Sequence, residues 1–440
     1  MMRLQEHMES KRLYIDTQHG YRQNRSCSTA VLQLQEEILK DAEKNVDTAL
    51  IFLDMSCAFD TIDHKTLLDK LKLYGMDSKT LKWFKSYLSD RYQYTEINGQ
   101  RSSMQRIRFG VFQGSISGPF QFLIIINDII VVVTELGCEV YVYADDSTVR
   151  YRLTGNLVED QRKLDLIMTC LVNYMNSTKL KFNMKKTQFL VVSKKNHNHY
   201  KNLKLNYQGT SIEQVREARL LGVYFTWNCS QDYFIRDMPN NLVTWLERRY
   251  KLLYKIRKQC EPKVFKCLAH GLVMSKIEFC IQFWCQTTEI NKDRVRVIMN
   301  KTVRLANGVT LMDKIRNRDL YATQNWLNLD ALQKFHDIGL LRTIMRTSTP
   351  LNMAQAVSPN IENPYRVRTR QRTKGQIQYN RNNTSVYTSR HDSFQCRAVR
   401  AYNDLPPDLI GKYYDPRIVR DPEKAERNDL RRHLIENQFN

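Results

Sequence analysis

The chain has no long hydrophobic run. Its most apolar stretch, FQFLIIINDIIVVV, is interrupted by Asn127 and Asp128 and falls short of a membrane span. The start, MMRLQEHMESKRL, is polar throughout, so no signal peptide is expected there. Paired CxxC spacing is lacking too: the ten cysteines are scattered, with Cys280 and Cys285 the nearest approach to a pair. In a chain of 440 residues they read as reduced, mostly buried thiols of an intracellular protein, and not as a zinc site. There are no internal repeats. Negative charge is in deficit, with 46 Asp and Glu against 68 Lys and Arg, a net +22. An excess of that size suggests a polyanionic partner, because neutralising phosphates releases counterions. An anionic membrane surface is the competing explanation, but without a span the expectation is no membrane.

The length allows two to four domains. Residues 28–44 carry Val31, Leu34 and Ile38 at helical spacing, and TALIFLD (48–54) reads as a short buried strand ending on Asp54. Two helices follow, HKTLLDKLKLY and SKTLKWFKSYL, the first stopped by Gly75 and the second expected to be capped by Ser78. A hairpin is expected to turn at Asn98-Gly99. Pro119 suits the first turn of a helix that is apolar nearly all round, hence buried. Then come a second hairpin, a helix over 157–176, and strands near 187–193 and 218–226. This order predicts an α+β core. From 236 to 345 the pattern is helical and basic, with WLERRYKLLYKIRK the clearest piece, and beyond 346 the composition shifts to that of a tail with patchy order. The expected division is 1–235, 236–345 and 346–440.

The second hairpin, YVYADDSTVR, places Asp145 and Asp146 side by side between two β-forming runs. A tight hairpin turn ordinarily takes Asn-Gly, Asp-Gly or Gly-Gly, so adjacent like charges there are costly unless solvent dilutes them or a cation is held. If this hairpin pairs beside the strand ending at Asp54, three carboxylates converge. Magnesium takes oxygen ligands of this kind, and two such ions about 4 Å apart suit in-line phosphoryl displacement. A basic surface around an acidic centre is then consistent with chemistry on nucleic acid.

Several longer stretches occur in the order and spacing of reverse transcriptases: ALIFLDMSCAFDTIDHKTLLDKL, FGVFQGSISGPFQFLIIINDI and VYADDSTV. They resemble those of non-LTR (LINE-type) retrotransposons of the jockey and chicken-repeat-like groups. QHGYRQNRSCSTAV is similar to that family's first fingers motif, LKFNMKKTQFLVV to its Asn-x-x-Lys-Thr motif, and ARLLGVYFTW to its primer grip. VMSKIEFCIQFWC, IMNKTVRLANG and SFQCRAVRAYNDLPPDL resemble its thumb, post-polymerase and C-terminal segments, so the likeness covers nearly the whole chain. The resemblance implies a right-hand polymerase with fingers and palm in 1–235, a helical thumb in 236–345 and a basic C-terminal region. It implies an RNA-directed DNA polymerase using template RNA, a DNA primer and dNTPs, in the nucleus and cytoplasm. Asp54 and Asp145 would bind two magnesium ions (manganese being the alternative), with Asp146 beside them. Phe59 would be the aromatic gate under the incoming sugar, colliding with a ribose 2′-OH. Gln113 and Gly114 would lie in the loop near template and nucleotide, Arg22 and Arg25 would face triphosphate or template, and Lys186 would lie near the leaving pyrophosphate. Leu221 and Gly222 would shape the primer grip. Separately, RVRTRQRTK sets Arg366, Arg368, Arg370, Arg372 and Lys374 at every second position, one face of an extended chain suited to a phosphate backbone.

There are departures from the family pattern. Where the loop before Gln113 usually has proline, position 112 is phenylalanine. Proline would preset φ, so the expectation is a freer loop. Gln121 falls on the buried helix, and the family's upstream Arg-Pro-Ile-Ser stretch and endonuclease are absent from the sequence, as in a polymerase fragment. Two rival readings fit the same residues: a non-catalytic RNA-binding scaffold on a retired polymerase fold, and an RNA polymerase of viral type.

Overall fold

In a computed structural model, the chain is described over residues 1–55, 58–193, 197–207, 209–310, 312–355, 357–359, 377–379, 393–406, 409 and 422–438. The basic run 366–374 lies outside the described residues. Two compact units are present: residues 1–30 with 44–221, and residues 31–43 with 222–440.

The first unit is the α+β core that the sequence predicts. Helix α1 (Met2–Ser10) precedes α2 (Cys27–Glu43), whose first turn belongs to this unit and whose remainder belongs to the second. Strand β1 (Thr48–Leu53) is buried at every residue. Next come α3 (His64–Leu73) and α4 (Ser78–Leu88), then the short strands β2 (Tyr92–Gln93), β3 (Glu96–Ile97), β4 (Gln100–Arg101) and β5 (Gln105–Arg106). β2 pairs with β5 and β3 with β4, and Asn98 and Gly99 both take positive φ at the tip, as a tight hairpin requires. Helices α5 (Gly118–Ile126) and α6 (Ile129–Thr134) lead into β6 (Glu139–Tyr143), β7 (Asp146–Arg152), α7 (Leu157–Thr178) and β8 (Gln188–Val192). The remaining strands of this unit are β9 (Leu205–Tyr207), β10 (Thr210–Ile212), β11 (Gln214–Val215) and β12 (Glu217–Leu220).

The principal sheet runs β11-β8-β1-β7-β6. β1 lies at its centre, antiparallel to both β7 and β8, and only the β11–β8 pair is parallel. A central strand covered on both faces must be apolar throughout, which is why TALIFL lacks alternation. One cover is α5, whose Phe120, Phe122, Leu123 and Ile124 through Ile126 are all buried. Asn127 and Asp128 end that helix because their side chains are used: Asn127 Oδ1 accepts from Ile15 N, and Asp128 pairs with Lys70 at 2.8 Å. Gln121 is fully buried, donates to Ser117 Oγ at 2.9 Å, and has no donor for its carbonyl oxygen among the described residues. Among the described residues no helix is long and apolar enough to cross a membrane.

Two local expectations change. The cap of α4 is Asp77, one residue before Ser78: Asp77 is still extended (φ −70°, ψ 165°) and its carboxylate accepts from Thr80 N, while Ser78 is already helical. The second hairpin turns on Ala144 and Asp145, because Tyr143 pairs with Asp146, and the positive φ falls on Ala144 (56°).

The second unit is helical over most of 236–345. It holds β13 (Val223–Thr226), α8 (Leu242–Ile256), α9 (Pro262–Ala269), α10 (Ser275–Glu278), α11 (Ile281–Trp284), α12 (Glu289–Ala306), α13 (Asn317–Gln324) and α14 (Leu329–Thr347). Beyond 346, the helices Phe394–Asn403 and Pro422–Asn437 belong to it, the first fastened by a buried Arg397–Asp337 ion pair at 3.1 Å.

Asp63 couples the first unit to pH. It caps α3 by accepting from Thr66 N and pairs with Lys179 at 2.8 Å. Burial pushes its carboxyl up, but the Lys179 and Thr66 hydrogen bonds outweigh that and hold it near 2. Because the folded value lies below the unfolded one, the ionised group stabilises above about pH 4 and the contribution is lost as pH falls towards 2. Asp63→Asn, which keeps an acceptor for the cap, is expected to cost about 1–2 kcal/mol at neutral pH and nothing at pH 2. Urea unfolding of both proteins at several pH values measures this, and a pH-independent difference would refute the linkage.

Candidate functional site

The site is built by register. The last pair between β1 and β7 is Leu53 with Ser147, so one step further along each strand stand Asp54 and Asp146. Asp145, in the turn before β7, is the third carboxylate. All three are partly exposed at the same end of the sheet. Their proximity shows in Asp146, whose carboxyl is raised to about 6 by burial first and then by the charges of Asp145 and Asp54, against the opposing pull of Lys186 and Arg219. Among the described residues no group of three or more His, Cys, Asp or Glu side chains is placed to hold a metal ion as the side chains stand. The donor set is nevertheless all carboxylate oxygen with unbalanced negative charge, and this suits a hard divalent cation.

Lys186 is the cation nearest Asp54, with Nζ 3.8 Å from Oδ1. The backbone explains its place. Asn183 N donates to Asp54 O at 2.8 Å, and Asn183 O accepts from the amides of Lys186 and Thr187, so this tight turn is tied directly to the residue it serves.

Phe59 is half-buried, its ring 4.8 Å from that of Phe122 and tilted by 31°. Gln113 is exposed and donates to Asp60 Oδ1 at 2.8 Å, while Gly114 takes φ +80° in the same loop. This loop is not freed by Phe112. The Phe112 ring packs edge-on against Tyr87 at 5.2 Å, and Val111 N bonds Phe59 O while Ser115 N bonds Phe112 O. A side-chain anchor thus does here what a fixed proline φ would do, which corrects the expected looseness.

Other candidates are engaged elsewhere. Arg22 forks onto Glu9 at 2.6 Å and donates to the carbonyls of Ile15 and Gln18. Arg25 pairs with Asp16 at 2.6 Å. Both side chains are almost fully covered, and the bonds they make tie down residues 9–18. Leu221 and Gly222 take φ of +48° and +85° in the turn between β12 and β13, and a Cβ on Gly222 would come within 3.2 Å of the Phe279 ring.

Sequence reasoning missed the buttress of the aspartate turn. Residues 17–19 bridge to β6, with His19 N donating to Val142 O and Val142 N to Thr17 O. Gln18 Oε1 accepts from both Gly20 N (2.8 Å) and Ala144 N (3.3 Å), supplying the left-handed residue with a partner. Gly20 lies so close that a Cβ there would be 2.5 Å from Ala144 N. Only the glycine in QHGY hinted at this, and nothing in the sequence paired it with position 144. Arg219 and Asp60 were likewise not singled out, and Asn183 was read only as part of the Asn-x-x-Lys-Thr motif, without its bond to Asp54.

Comparison with known proteins adds the following. The family described as reverse transcriptase (RNA-dependent DNA polymerase) matches residues 1–225. A probable RNA-directed DNA polymerase from transposon BS of Drosophila melanogaster is 24% identical over 320 residues, covering 69% of this chain and 33% of that protein. The RNA-directed DNA polymerase from mobile element jockey of Drosophila melanogaster is 23% identical over 294 residues, covering 64% and 30%. The chain therefore spans about a third of the length of these relatives. A telomerase structure from Candida albicans aligns over 71% of this chain and 56% of its own with a TM-score of 0.39 and 11% identity, too low to carry any argument.

Gly20→Ala is expected to force the turn aside, destabilising the chain by about 1–3 kcal/mol. Amide hydrogen exchange at His19 and Val142 should accelerate with it. Wild-type protection at both amides in the variant would show that the turn does not depend on this contact.

Proposed function

Because the chain belongs to the reverse transcriptase family, we propose that it carries out RNA-directed DNA synthesis, joining dNTPs to a DNA primer on an RNA template. The observation that carries this reading is the convergence of Asp54, Asp145 and Asp146 at one end of the sheet, where burial first and then the charges of Asp145 and Asp54 raise Asp146 to about 6. Such an arrangement is unfavourable in itself and becomes favourable with hard cations. Asp54 and Asp145 would hold two magnesium ions, with manganese as the alternative and Asp146 adjacent. Two bound ions supply positive charge for the attacking and leaving oxygens of an in-line displacement.

The chain's own side chains then have distinct tasks. Lys186, held beside Asp54, offers positive charge where pyrophosphate leaves. Phe59, braced on Phe122, lies under the incoming sugar. Gln113, steered by Asp60, and Gly114 approach the base pair being formed. Leu221 and Gly222 shape the primer grip. Residues 1–235 serve as fingers and palm, 236–345 as thumb, and the basic segment within 346–440 as a contact for nucleic acid, with Arg366, Arg368, Arg370, Arg372 and Lys374 on phosphates. Arg22 and Arg25, expected to face triphosphate or template, pair with Glu9 and Asp16 and so support the fingers from within. The setting is intracellular, nucleus and cytoplasm.

Primer extension on a homopolymer RNA template tests the reading. Asp145→Ala should abolish extension while the unfolding temperature of the metal-free protein holds or rises, since one like charge is removed. Wild-type extension by this variant would refute the carboxylate assignment, and no extension by the wild type would favour an RNA-binding scaffold.

Phe59 separates a DNA-making enzyme from an RNA-making one. The substrates differ by one hydroxyl, and a bulky ring excludes it by collision, a repulsive element against the wrong substrate. Phe59→Val is expected to raise ribonucleotide incorporation about 100-fold relative to deoxynucleotide. Free use of ribonucleotides by the wild type would point to an RNA polymerase. Equal rejection by both proteins would make Phe59 a packing residue against Phe122.

A further inference from the structure

The outer face of α4 carries a feature that the proposed chemistry does not use. Lys79, Trp83 and Tyr87 follow one another at four-residue spacing, so they form a single stripe along the helix. Trp83 is 51% exposed, which a tryptophan with an apolar partner to cover it would not be. Its ring stacks on Tyr87 at 5.2 Å with only 9° between the planes. Tyr87 meets the Phe112 ring edge-on, and the Arg91 guanidinium sits 5.6 Å from the Tyr87 centroid and 5.9 Å from that of Phe112. Arg91 is held there by donating Nε to Tyr87 O at 2.8 Å. The result is a rigid ladder, open at the Trp83 end and closing on the residue before Gln113.

The charge around the ladder is one-sided. Lys79 and Lys82, on the ladder's side of α4, are exposed and form no ion pair among the described residues, while Asp90 is taken up by Arg106 at 2.9 Å. An exposed planar ring pre-stacked on a second ring, flanked by free cations, is complementary to a ligand with flat apolar faces and regular negative charges. Single-stranded nucleic acid has both, and stacking on aromatic side chains needs no particular base. Duplex has the charges, but its base faces are already stacked and cannot be offered to Trp83. A protein partner would find the apolar ring but no use for the surrounding lysines and arginines unless it were strongly acidic.

We infer that the Trp83–Tyr87–Phe112 ladder, with Arg91, Lys79 and Lys82, is a stacking platform for single-stranded nucleic acid, and that it guides the unpaired template towards the Gln113 loop. This rests on the polymerase reading for the direction of travel, but not for the binding itself. It also gives Phe112 a second role, since the ring that replaces proline in the loop is the inner rung of the ladder.

The test is binding, measured by fluorescence anisotropy on full-length protein carrying Asp145→Asn so that no turnover intervenes. The probes are a labelled ten-nucleotide oligoadenylate RNA, the DNA of the same sequence, and a blunt RNA–DNA duplex. Trp83→Ala should weaken single-strand binding about tenfold or more, and Trp83→Phe should restore most of it. Lys79→Gln with Lys82→Gln should reduce the salt dependence of single-strand binding by about 1.4 in slope. Duplex affinity should be the same with and without Trp83. A preference for RNA over DNA supports the template role, and equal binding supports a platform for any single strand. Unchanged single-strand affinity in Trp83→Ala, or an equal loss on duplex, overturns the inference. Absence of primer extension by the wild type would instead count against the polymerase reading and leave the binding result to stand on its own.

Discussion

The register between β1 and β7 is the constraint on which the site depends. Once Leu53 faces Ser147, Asp54 and Asp146 have no choice but to end on the same edge, and the turn before β7 adds Asp145. A one-residue slip would exchange the two faces of β7, putting Arg150, which pairs with Glu139, where Val149 and Tyr151 lie in the hydrophobic core, so the register is fixed by what each face of β7 carries. Hydrophobic packing is therefore what holds like charges together. The core is large enough to do this because β1 is central and α5 is buried nearly all round, with Gln121 its one polar side chain.

The other features follow as ways of living with that charge. Lys186 is brought to Asp54 by a turn hydrogen-bonded to the aspartate's own backbone. The strained φ at Ala144 is supported by Gln18 and by the close approach of Gly20, so the N-terminal segment acts as a buttress for the turn. That segment must itself be rigid, and Arg22 and Arg25 make it so by binding Glu9, the Asp16 carboxylate and the backbone carbonyls of Ile15, Asp16 and Gln18. Two arginines that a motif comparison would aim at substrate thus serve the site through the backbone they hold.

What could be read in the sequence was what is local or periodic. The buried strand ending at Asp54, the Asn98-Gly99 turn, the all-round apolar helix after Pro119 and the α+β class each depend on spacing within about twenty residues. The three aspartates were legible because their motifs are short and contiguous. Cross-chain partners were not. Nothing in QHGY specifies a contact with Ala144, some 120 positions away, and nothing in KFNMKKT says that Asn183 will bond Asp54. The cap at Asp77 was missed by one residue because Asp and Ser are both good caps, and only the backbone angles decide between them.

Phe112 shows why a departure from a family pattern is a poor guide when it is weighed alone. Proline would stiffen the loop through one dihedral angle, and its replacement suggested looseness. Stiffness can also come from side-chain contact, and a phenylalanine makes that possible where a proline ring could not reach. Here the ring lands against Tyr87 and under Arg91, groups on a helix and a strand approach that are themselves fixed by the Phe84 and Leu88 side of α4. The loop before Gln113 is therefore positioned from α4 and not from its own φ angle. A substitution that looks like decay in the motif is, in the fold, a transfer of the same constraint to a neighbouring element.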